Sequence, residues 1–188
     1  MKTQELLKRY AARELNFRGI SLANASLDGV NLSRADLSQT DLSHAELTRA
    51  DLSGACLSQA NLTNADLTGT DLTGANLTEI NLIGADLIGA NLIGADLSSA
   101  DLRCTNFHQA NLSGANLTDA ELSGADLSGA CLKNARLSGA DLTGVDLTGA
   151  DLSGTGLTSA ELKEETVPTG ISRHWVSWNG SCSAQMKG

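Results

Sequence analysis

The sequence is poor in aromatic residues and in proline. Phe, Tyr and Trp make up 3% of its 188 residues, and it has one proline. A globular core of this size normally draws on aromatic side chains and on several aliphatic types. Here leucine supplies nearly all of the large apolar content, and glycine is frequent at 19 residues. This composition predicts a narrow interior that is filled by one repeated side chain.

Basic residues are also scarce. Lys and Arg number 13 against 22 Asp and Glu, which gives a net charge of −9. Binding to a phosphate backbone requires Lys and Arg, so we expect no direct nucleic-acid binding. An acidic surface suits a basic protein partner, or it serves solubility alone.

Long apolar runs and metal-like cysteine spacings are absent from the sequence. The sequence contains no run of about 18 apolar residues, so no membrane span is predicted. The first 13 residues are charged and lack the apolar stretch of a secretory signal. The four cysteines, at positions 56, 104, 131 and 182, show no CxxC spacing. We therefore expect free thiols in a reducing cytoplasm, with no metal and no cofactor.

A strict period of five runs through most of the chain. A central apolar residue recurs every five positions from Phe17 to Leu162, thirty in all, and it is Leu except at Phe17 and Phe107. Two positions before the centre the residue is small or β-branched, except at Leu15, and it is most often Ala. Asp or Asn usually precedes the centre, Ser or Thr usually follows it, and Gly often comes next.

This period fits neither a helix nor a long strand. A helix requires apolar spacing that averages 3.6 residues, and a strand alternates with period two. Two apolar positions in five place both side chains on one side of a short extended piece, and a corner must follow each piece. Glycine suits that corner because it accepts positive φ.

These pentads resemble the consensus of the pentapeptide-repeat family. Segments such as Ala65–Gly69 (ADLTG) and Ala125–Gly129 (ADLSG) carry the resemblance, which covers residues 15–162. It implies an all-β fold: a right-handed parallel quadrilateral β-helix with four pentads per coil and with both apolar positions inside. Thirty pentads make about 7.5 coils, stacked at about 4.8 Å per coil. The bulkier Phe107 and Ile80 are expected to distort their coils locally.

Both ends of the chain depart from the repeat. Residues 1–14 contain an amphipathic stretch at 3–13, which predicts a helix that caps the first coil. Residues 163–188 hold the one proline and both tryptophans, Trp175 and Trp178, and they are predicted to form a C-terminal cap or a flexible tail. Because Trp is enriched in binding hot spots, a homodimer through the C-terminal end is a further prediction.

The N-terminal leader resembles that of cyanobacterial members of the family. A pattern found in them is matched here by Leu6, Leu7, Tyr10, Ala11, Ala12 and Phe17. These members include a regulator of heterocyst differentiation, so the resemblance implies a role in cyanobacterial regulation.

No arrangement of residues typical of catalysis is present. His44 and Cys104 would share a face but lie three coils apart, about 14 Å, which is beyond the hydrogen-bond reach of a nucleophile and its base. The sequence has no P-loop, GxSxG or HExxH motif. We expect a non-catalytic protein; an enzyme that uses Cys104 or His108 is a distant third hypothesis.

Acidic residues before the centres concentrate on two adjacent faces. With faces one to four counted from Phe17, Leu22, Leu27 and Leu32, ten of fifteen such acids lie on faces two and three. On face two Asp101, Glu121, Asp141 and Glu161 would stack directly, coil on coil, and on face three Asp126 and Asp146 would do the same.

Stacked like charges repel, so these acidic faces suggest a binding strip for a basic or DNA-binding protein. The alternative is that these carboxylates are well solvated and that Arg103, Lys133 and Lys163 nearby reduce their repulsion. The charge spacing approaches that of duplex DNA, and gyrase-binding family members resemble DNA in this way. A DNA-mimicking modulator of DNA gyrase is therefore the second predicted function.

Three isoleucines replace the usual Ser or Thr after the centre. Ile83, Ile88 and Ile93 occur in consecutive pentads and would point outward on faces two, three and four of one coil. Such residues are either tolerated on a sheet surface or form a partner patch; we call them the Ile belt. The sequence thus predicts a cytoplasmic scaffold or regulator that binds a protein partner through its acidic faces or its Ile belt.

Overall fold

The computed structural model describes residues 3–157. Within that range one helix, α1 (Thr3–Ala11), precedes a long stack of parallel β-bridges that runs from Asn16 to Asp151. Each bridge pairs a residue with the one twenty positions later, as Asp41 pairs with Asn61. Twenty residues therefore complete one coil, which corresponds to four pentads. No helix in the described range is long and apolar enough to cross a membrane.

Each bridge is a single residue long, because a pentad is one short extended piece followed by a corner. The N–H of Leu42 donates to the carbonyl of Asn61 one coil ahead (2.8 Å), and the N–H of Asp41 donates to Ile20 one coil behind (3.0 Å). The N–H of His44 also donates forward, to Thr63 (3.0 Å), and that of Ala45 closes the turn on Leu42 (3.0 Å). Four of the five N–H groups of this pentad are thus paired with the main chain.

The fifth N–H explains why Asp or Asn precedes the centre. Asp41 Oδ1 accepts from the N–H of Ser43 (3.1 Å) and from its hydroxyl (2.7 Å). The same turn recurs along the stack, for example between Asn111 and Ser113. The Asp/Asn and Ser/Thr positions therefore form an Asx turn, and the turn satisfies the last backbone donor of the pentad.

The interior is a column of leucine and alanine. The centre and the residue two before it are almost fully buried through the middle of the stack, with Leu97 and Phe107 at 0% and Ile80 at 1% exposure. The distortion expected at Phe107 and Ile80 does not reach the backbone pairing. The N–H of Phe107 donates to Asp126 at 2.7 Å, and the carbonyl of Ile80 accepts from Asp101 at 2.9 Å.

The corner residue takes a left-handed backbone conformation. Its φ is 63° at Gly89, and it is equally positive where a side chain is present, 56° at both His44 and Ser99. Glycine is common at this position because it accepts positive φ without strain. The corners that carry side chains can also link coils: Gln39 Nε2 donates to Gln59 Oε1 at 2.7 Å.

Helix α1 lies over the first coil. Leu6 is fully buried beside Phe17 in the core, and the Tyr10 hydroxyl donates to the carbonyl of Ser33 (3.0 Å). The helix ends two residues before the predicted boundary, because Arg13 adopts φ = 65° and its N–H makes a tighter bond to the Tyr10 carbonyl. The predicted C-terminal cap or tail, 163–188, lies outside the described residues.

Candidate protein-binding surface

The Ile belt occupies the outer surface of one coil. Ile83, Ile88 and Ile93 each follow a buried leucine; Ile93 is 40% exposed, and the other two are partly buried. The N–H of Ile83 donates to Asn81 Oδ1 at 3.0 Å, so the usual turn is kept. Isoleucine has no hydroxyl that could donate to Asn81 Oδ1 as Ser or Thr does in other turns. In the belt, exposed apolar surface therefore replaces this side-chain hydrogen bond.

The belt is confined to this one coil. At the matching positions one coil earlier stand Thr63, Thr68 and Thr73, and one coil later stand Arg103, His108 and Ser113. The stacking is direct, since the carbonyl of Ile83 accepts from the N–H of Asn64 and the N–H of Gly84 donates to the carbonyl of Arg103. The result is an apolar strip around three faces that is bordered by polar coils.

The corners beside the belt are all glycine, at Gly84, Gly89 and Gly94. Elsewhere the same corner carries larger residues, such as Arg49 and Gln59. These three corners carry no side chain of their own, although the side chain of Asn64, the corner one coil earlier, lies against Gly84.

The predicted acidic stacking on face two is present in the described residues. Asp101 pairs with Glu121 and Glu121 pairs with Asp141 in successive bridges. On face three Asp126 pairs with Asp146. Glu161, the last predicted member, lies outside the described residues. We call Asp101, Glu121 and Asp141 the acidic column.

One arginine neutralises much of this column. Arg103 Nη2 lies 2.6 Å from Asp101 Oδ2, and its Nε lies 3.4 Å from Glu121 Oε2. The hydrogen bond from Arg103 is the main reason why the pKa of Asp101 lies below its usual range. Asp141 has no such neighbour among the residues of its turn; there the Thr143 hydroxyl and backbone N–H lower the carboxyl pKa.

Sequence reasoning did not identify the structural task of these carboxylates. The pKa of Asp36 and that of Asp41 lie below the usual value chiefly because the hydroxyl and the N–H of the residue two positions on donate to them. The signal was present as Asp or Asn followed two residues later by Ser or Thr, which is the spacing of an Asx turn. These aspartates thus stabilise the turns of the coil, independently of any role in partner binding.

The residues considered for catalysis are not brought together. Three coil steps separate His44 from Cys104, through Asn64 and Gly84. His108 Nδ1 instead contacts Ser128 Oγ at 2.8 Å, a hydrogen bond between stacked coils. Within residues 3–157 no group of three or more His, Cys, Asp or Glu side chains could hold a metal ion.

The cysteines differ from the expectation at one position. Cys56 and Cys104 are free thiols, as expected. Cys131 is disulfide-bonded, so the expectation of a free thiol is wrong there. Its side chain is 7% exposed, at a position that Asp or Asn usually occupies.

Comparison with known families agrees with the repeat geometry. The family described as "Pentapeptide repeats" matches the chain in eight copies, at residues 16–54, 45–82, 80–119 and 120–162. The chain therefore belongs to the pentapeptide-repeat family. Among curated proteins none matches it.

Several solved structures of pentapeptide-repeat proteins are similar to this chain. HetL, a protein involved in heterocyst differentiation regulation from the cyanobacterium Nostoc sp. strain PCC 7120, is 34% identical over 82% of this chain and 94% of its own, with a TM-score of 0.41. Rfr23 from the cyanobacterium Cyanothece 51142 is 30% identical over 79% of this chain and 97% of its own, with a TM-score of 0.44. QnrB1, a plasmid-mediated fluoroquinolone resistance protein, is 20% identical over 74% and 79%, with a TM-score of 0.41.

Proposed function

We propose that this protein is a non-catalytic scaffold or regulator that binds a protein partner through its Ile belt. The observation that carries the proposal is the placement of Ile83, Ile88 and Ile93 on the outer surface of one coil, with Ile93 exposed and the other two partly exposed, at a position that is usually Ser or Thr. Burying apolar surface contributes roughly 25 cal/mol per Å². Covering the three side chains with a partner surface would contribute this free energy to binding.

The proposal includes the finer features that the resemblance implied. These are a right-handed quadrilateral coil, a total of about 7.5 coils, a cytoplasmic location and a role in cyanobacterial regulation. The leader residues Leu6, Tyr10 and Phe17, which suggested the cyanobacterial lineage, form the contact between α1 and the first coil. We propose neither direct nucleic-acid binding nor catalysis.

The test is a quantitative pull-down from a cyanobacterial lysate. The wild type is compared with a variant in which Ile83, Ile88 and Ile93 are each replaced by Ser. The matched control replaces Thr63, Thr68 and Thr73 by Ser, at the same positions one coil earlier. We expect a partner that the wild type and the control retain and that the Ile variant loses, while both variants keep the wild-type unfolding midpoint. Equal retention by all three proteins would contradict the proposal.

A second candidate function is modulation of DNA gyrase through DNA mimicry. The stacked carboxylates of Asp101, Glu121 and Asp141 favour it, since they follow one another at the coil spacing. The ion pairs of Arg103 with two of the three weigh against it. An excess of the protein should inhibit gyrase supercoiling if this function is correct, and an absence of inhibition at micromolar concentrations removes it.

A further inference from the structure

Asp86 is the single charged residue within the part of the coil that carries the Ile belt. It lies between Ile83 and Ile88 along the chain, and residues 80–95 contain no other acid and no base. The residues that precede the other two belt centres are both asparagines, which are neutral. Asp86 is exposed, so its carboxylate places one negative charge on an otherwise uncharged strip.

The usual structural reason for an aspartate before the centre does not apply to Asp86. From residue 16 to residue 151, every other Asp or Asn at this position accepts a hydrogen bond from the N–H of the residue two positions on. Within that range no such bond joins Asp86 to Ile88, and Asp86 Oδ1 instead accepts from Asn106 Nδ2 on the next coil (3.1 Å). The carboxylate is therefore not used to form the turn.

The described part of the chain supplies no cation to Asp86. None of the ion pairs among residues 3–157 includes its carboxylate, and no Lys or Arg occurs between Arg49 and Arg103. The bridge on the preceding coil is to Asp66, and the bridge on the following coil is to Asn106. Stacked like charges repel, so a cation from outside the chain would be favourable beside Asp86.

We propose that the Ile belt and Asp86 together bind a segment of a partner protein that combines an apolar face with a Lys or Arg side chain. The inference rests on the proposed function of the belt and adds the chemistry of the partner. A surface that covers Ile83 and Ile88 also removes water from Asp86, and a buried charge requires a paired counter-charge. A basic side chain in the interface meets that need through a charge-assisted hydrogen bond to the carboxylate.

Charge complementarity favours this partner over a second copy of the chain. The belt coil and the coil before it carry Asp66, Asp71 and Asp86 on faces three and four and no base. Two belts in contact would therefore oppose carboxylates with no cation between them. Arg103 on the following coil is already paired with Asp101. A partner that brings both apolar residues and a base matches the strip, whereas a second belt does not.

Binding of labelled model helices, measured by fluorescence anisotropy at physiological ionic strength, tests the proposal. One peptide has a leucine face flanked by lysines, and the other has glutamine in place of each lysine. We expect the wild type to bind the leucine–lysine peptide several-fold more tightly than the leucine–glutamine peptide. Asp86→Asn should reduce that preference several-fold, and it is expected to fold normally because asparagine already precedes the other belt centres.

The matched control is Asp146→Asn. It removes one charge from an exposed position on the same face, three coils later, and should keep the wild-type preference. An equal loss with Asp86→Asn and Asp146→Asn would assign the preference to net charge and overturn the proposal. A wild type without any preference for the leucine–lysine peptide, whether it binds both peptides or neither, would also overturn it.

Replacing Ile83, Ile88 and Ile93 by Ser separates this inference from the proposed function. Loss of binding of both peptides in that variant, with Asp86→Asn behaving as the wild type, would leave the belt as a binding surface and remove the role of Asp86. Binding that the Ile variant retains in full would contradict the belt itself. A mass in analytical ultracentrifugation that doubles with concentration for the wild type, but not for the Ile variant, would show that a second copy covers the belt instead.

Discussion

Arg103 Nη2 lies 2.6 Å from the Oδ2 of Asp101, the residue two positions before it in the same turn. The guanidinium thus takes the place of the Ser or Thr hydroxyl that serves this turn elsewhere, and it also reaches Glu121 on the next coil. One substitution in the repeat therefore changes both the local turn and the charge of the acidic column.

Arg103→Gln is expected to expose the acidic column. Removing the cation leaves Asp101 and Glu121 as two stacked, unneutralised carboxylates. If the column recruits a basic partner, inhibition of gyrase supercoiling should strengthen several-fold at low salt and weaken as salt screens the charges. Arg103→Lys, which keeps the charge, is the control. Identical behaviour of all three proteins would mean that the column is only a solvated surface.

The Asx turns make stability fall in acid. The pKa values of Asp36 and Asp41 are lowered in the folded protein, so their contribution is complete above the unfolded pKa, about 4. It is lost as the pH falls below that value toward the lowered folded pKa. We expect the urea midpoint to be steady from pH 7 to 5 and to drop below pH 4. Asp36→Asn/Asp41→Asn should reduce that drop, because an amide oxygen accepts the same bonds without titrating.

The control for this prediction is Asp28→Asn. Asp28 follows its centre and is exposed, at the position where other pentads carry a hydroxyl. The substitution Asp28→Asn removes one negative charge and leaves every Asx-turn acceptor in place. A pH profile that Asp28→Asn flattens as much as the double variant would assign the acid sensitivity to net charge.

Much of the fold could be predicted from the spacing of residues alone. A centre such as Leu42 and the residue two before it fall on one side of a short extended piece, so their burial needs no knowledge of distant contacts. The coil of four pentads came from the resemblance, and the bridges twenty residues apart agree with it. Even the Asx turn between Asp41 and Ser43 is visible as a spacing of two.

The details of the site could not be predicted in the same way. Arg103 could have pointed away from the stack, and its contact with Asp101 depends on the rotamer of a long side chain. A coil of four pentads places Gln39 and Gln59 one above the other, but the bond between their side chains depends on rotamers that the spacing does not determine. The end of α1 depends on the left-handed φ of Arg13. In a sequence such an end is usually indicated by Gly or Asn at that position, and here the residue is Arg.

The N-terminal cap is expected to depend on a single buried side chain. Leu6→Ala removes the fully buried residue of α1, and such truncations cost about 2–5 kcal/mol. Because coils contact only their neighbours, the loss should appear as faster hydrogen exchange in the first coil and fade along the stack. Leu7→Ala, at a partly exposed position of the same helix, is the control and should have a smaller effect. Uniform deprotection along the whole stack would contradict a local cap.

The corners offer a route to stabilise the protein. Ser99 is exposed, and its backbone holds φ = 56°, a conformation that costs an L-residue roughly 1–2 kcal/mol and costs glycine nothing. Glycine loses more entropy on folding, by roughly 0.5–1 kcal/mol, so Ser99→Gly should raise the free energy of unfolding by about 1 kcal/mol or less. The bond from the N–H of residue 99 to Thr118 (3.0 Å) is retained in either case.

A β-branched residue at position 99 is expected to have the opposite effect to glycine. Ser99→Val places a β-branched side chain at positive φ, so the free energy of unfolding should fall below that of the wild type. Urea denaturation of the three proteins ranks them, and the predicted order is Gly above Ser above Val. A valine variant as stable as the glycine variant would show that the corner carries little strain. In that case the abundance of glycine along the stack would instead reflect the close approach of side chains from the neighbouring coil, as where Asn64 lies against Gly84.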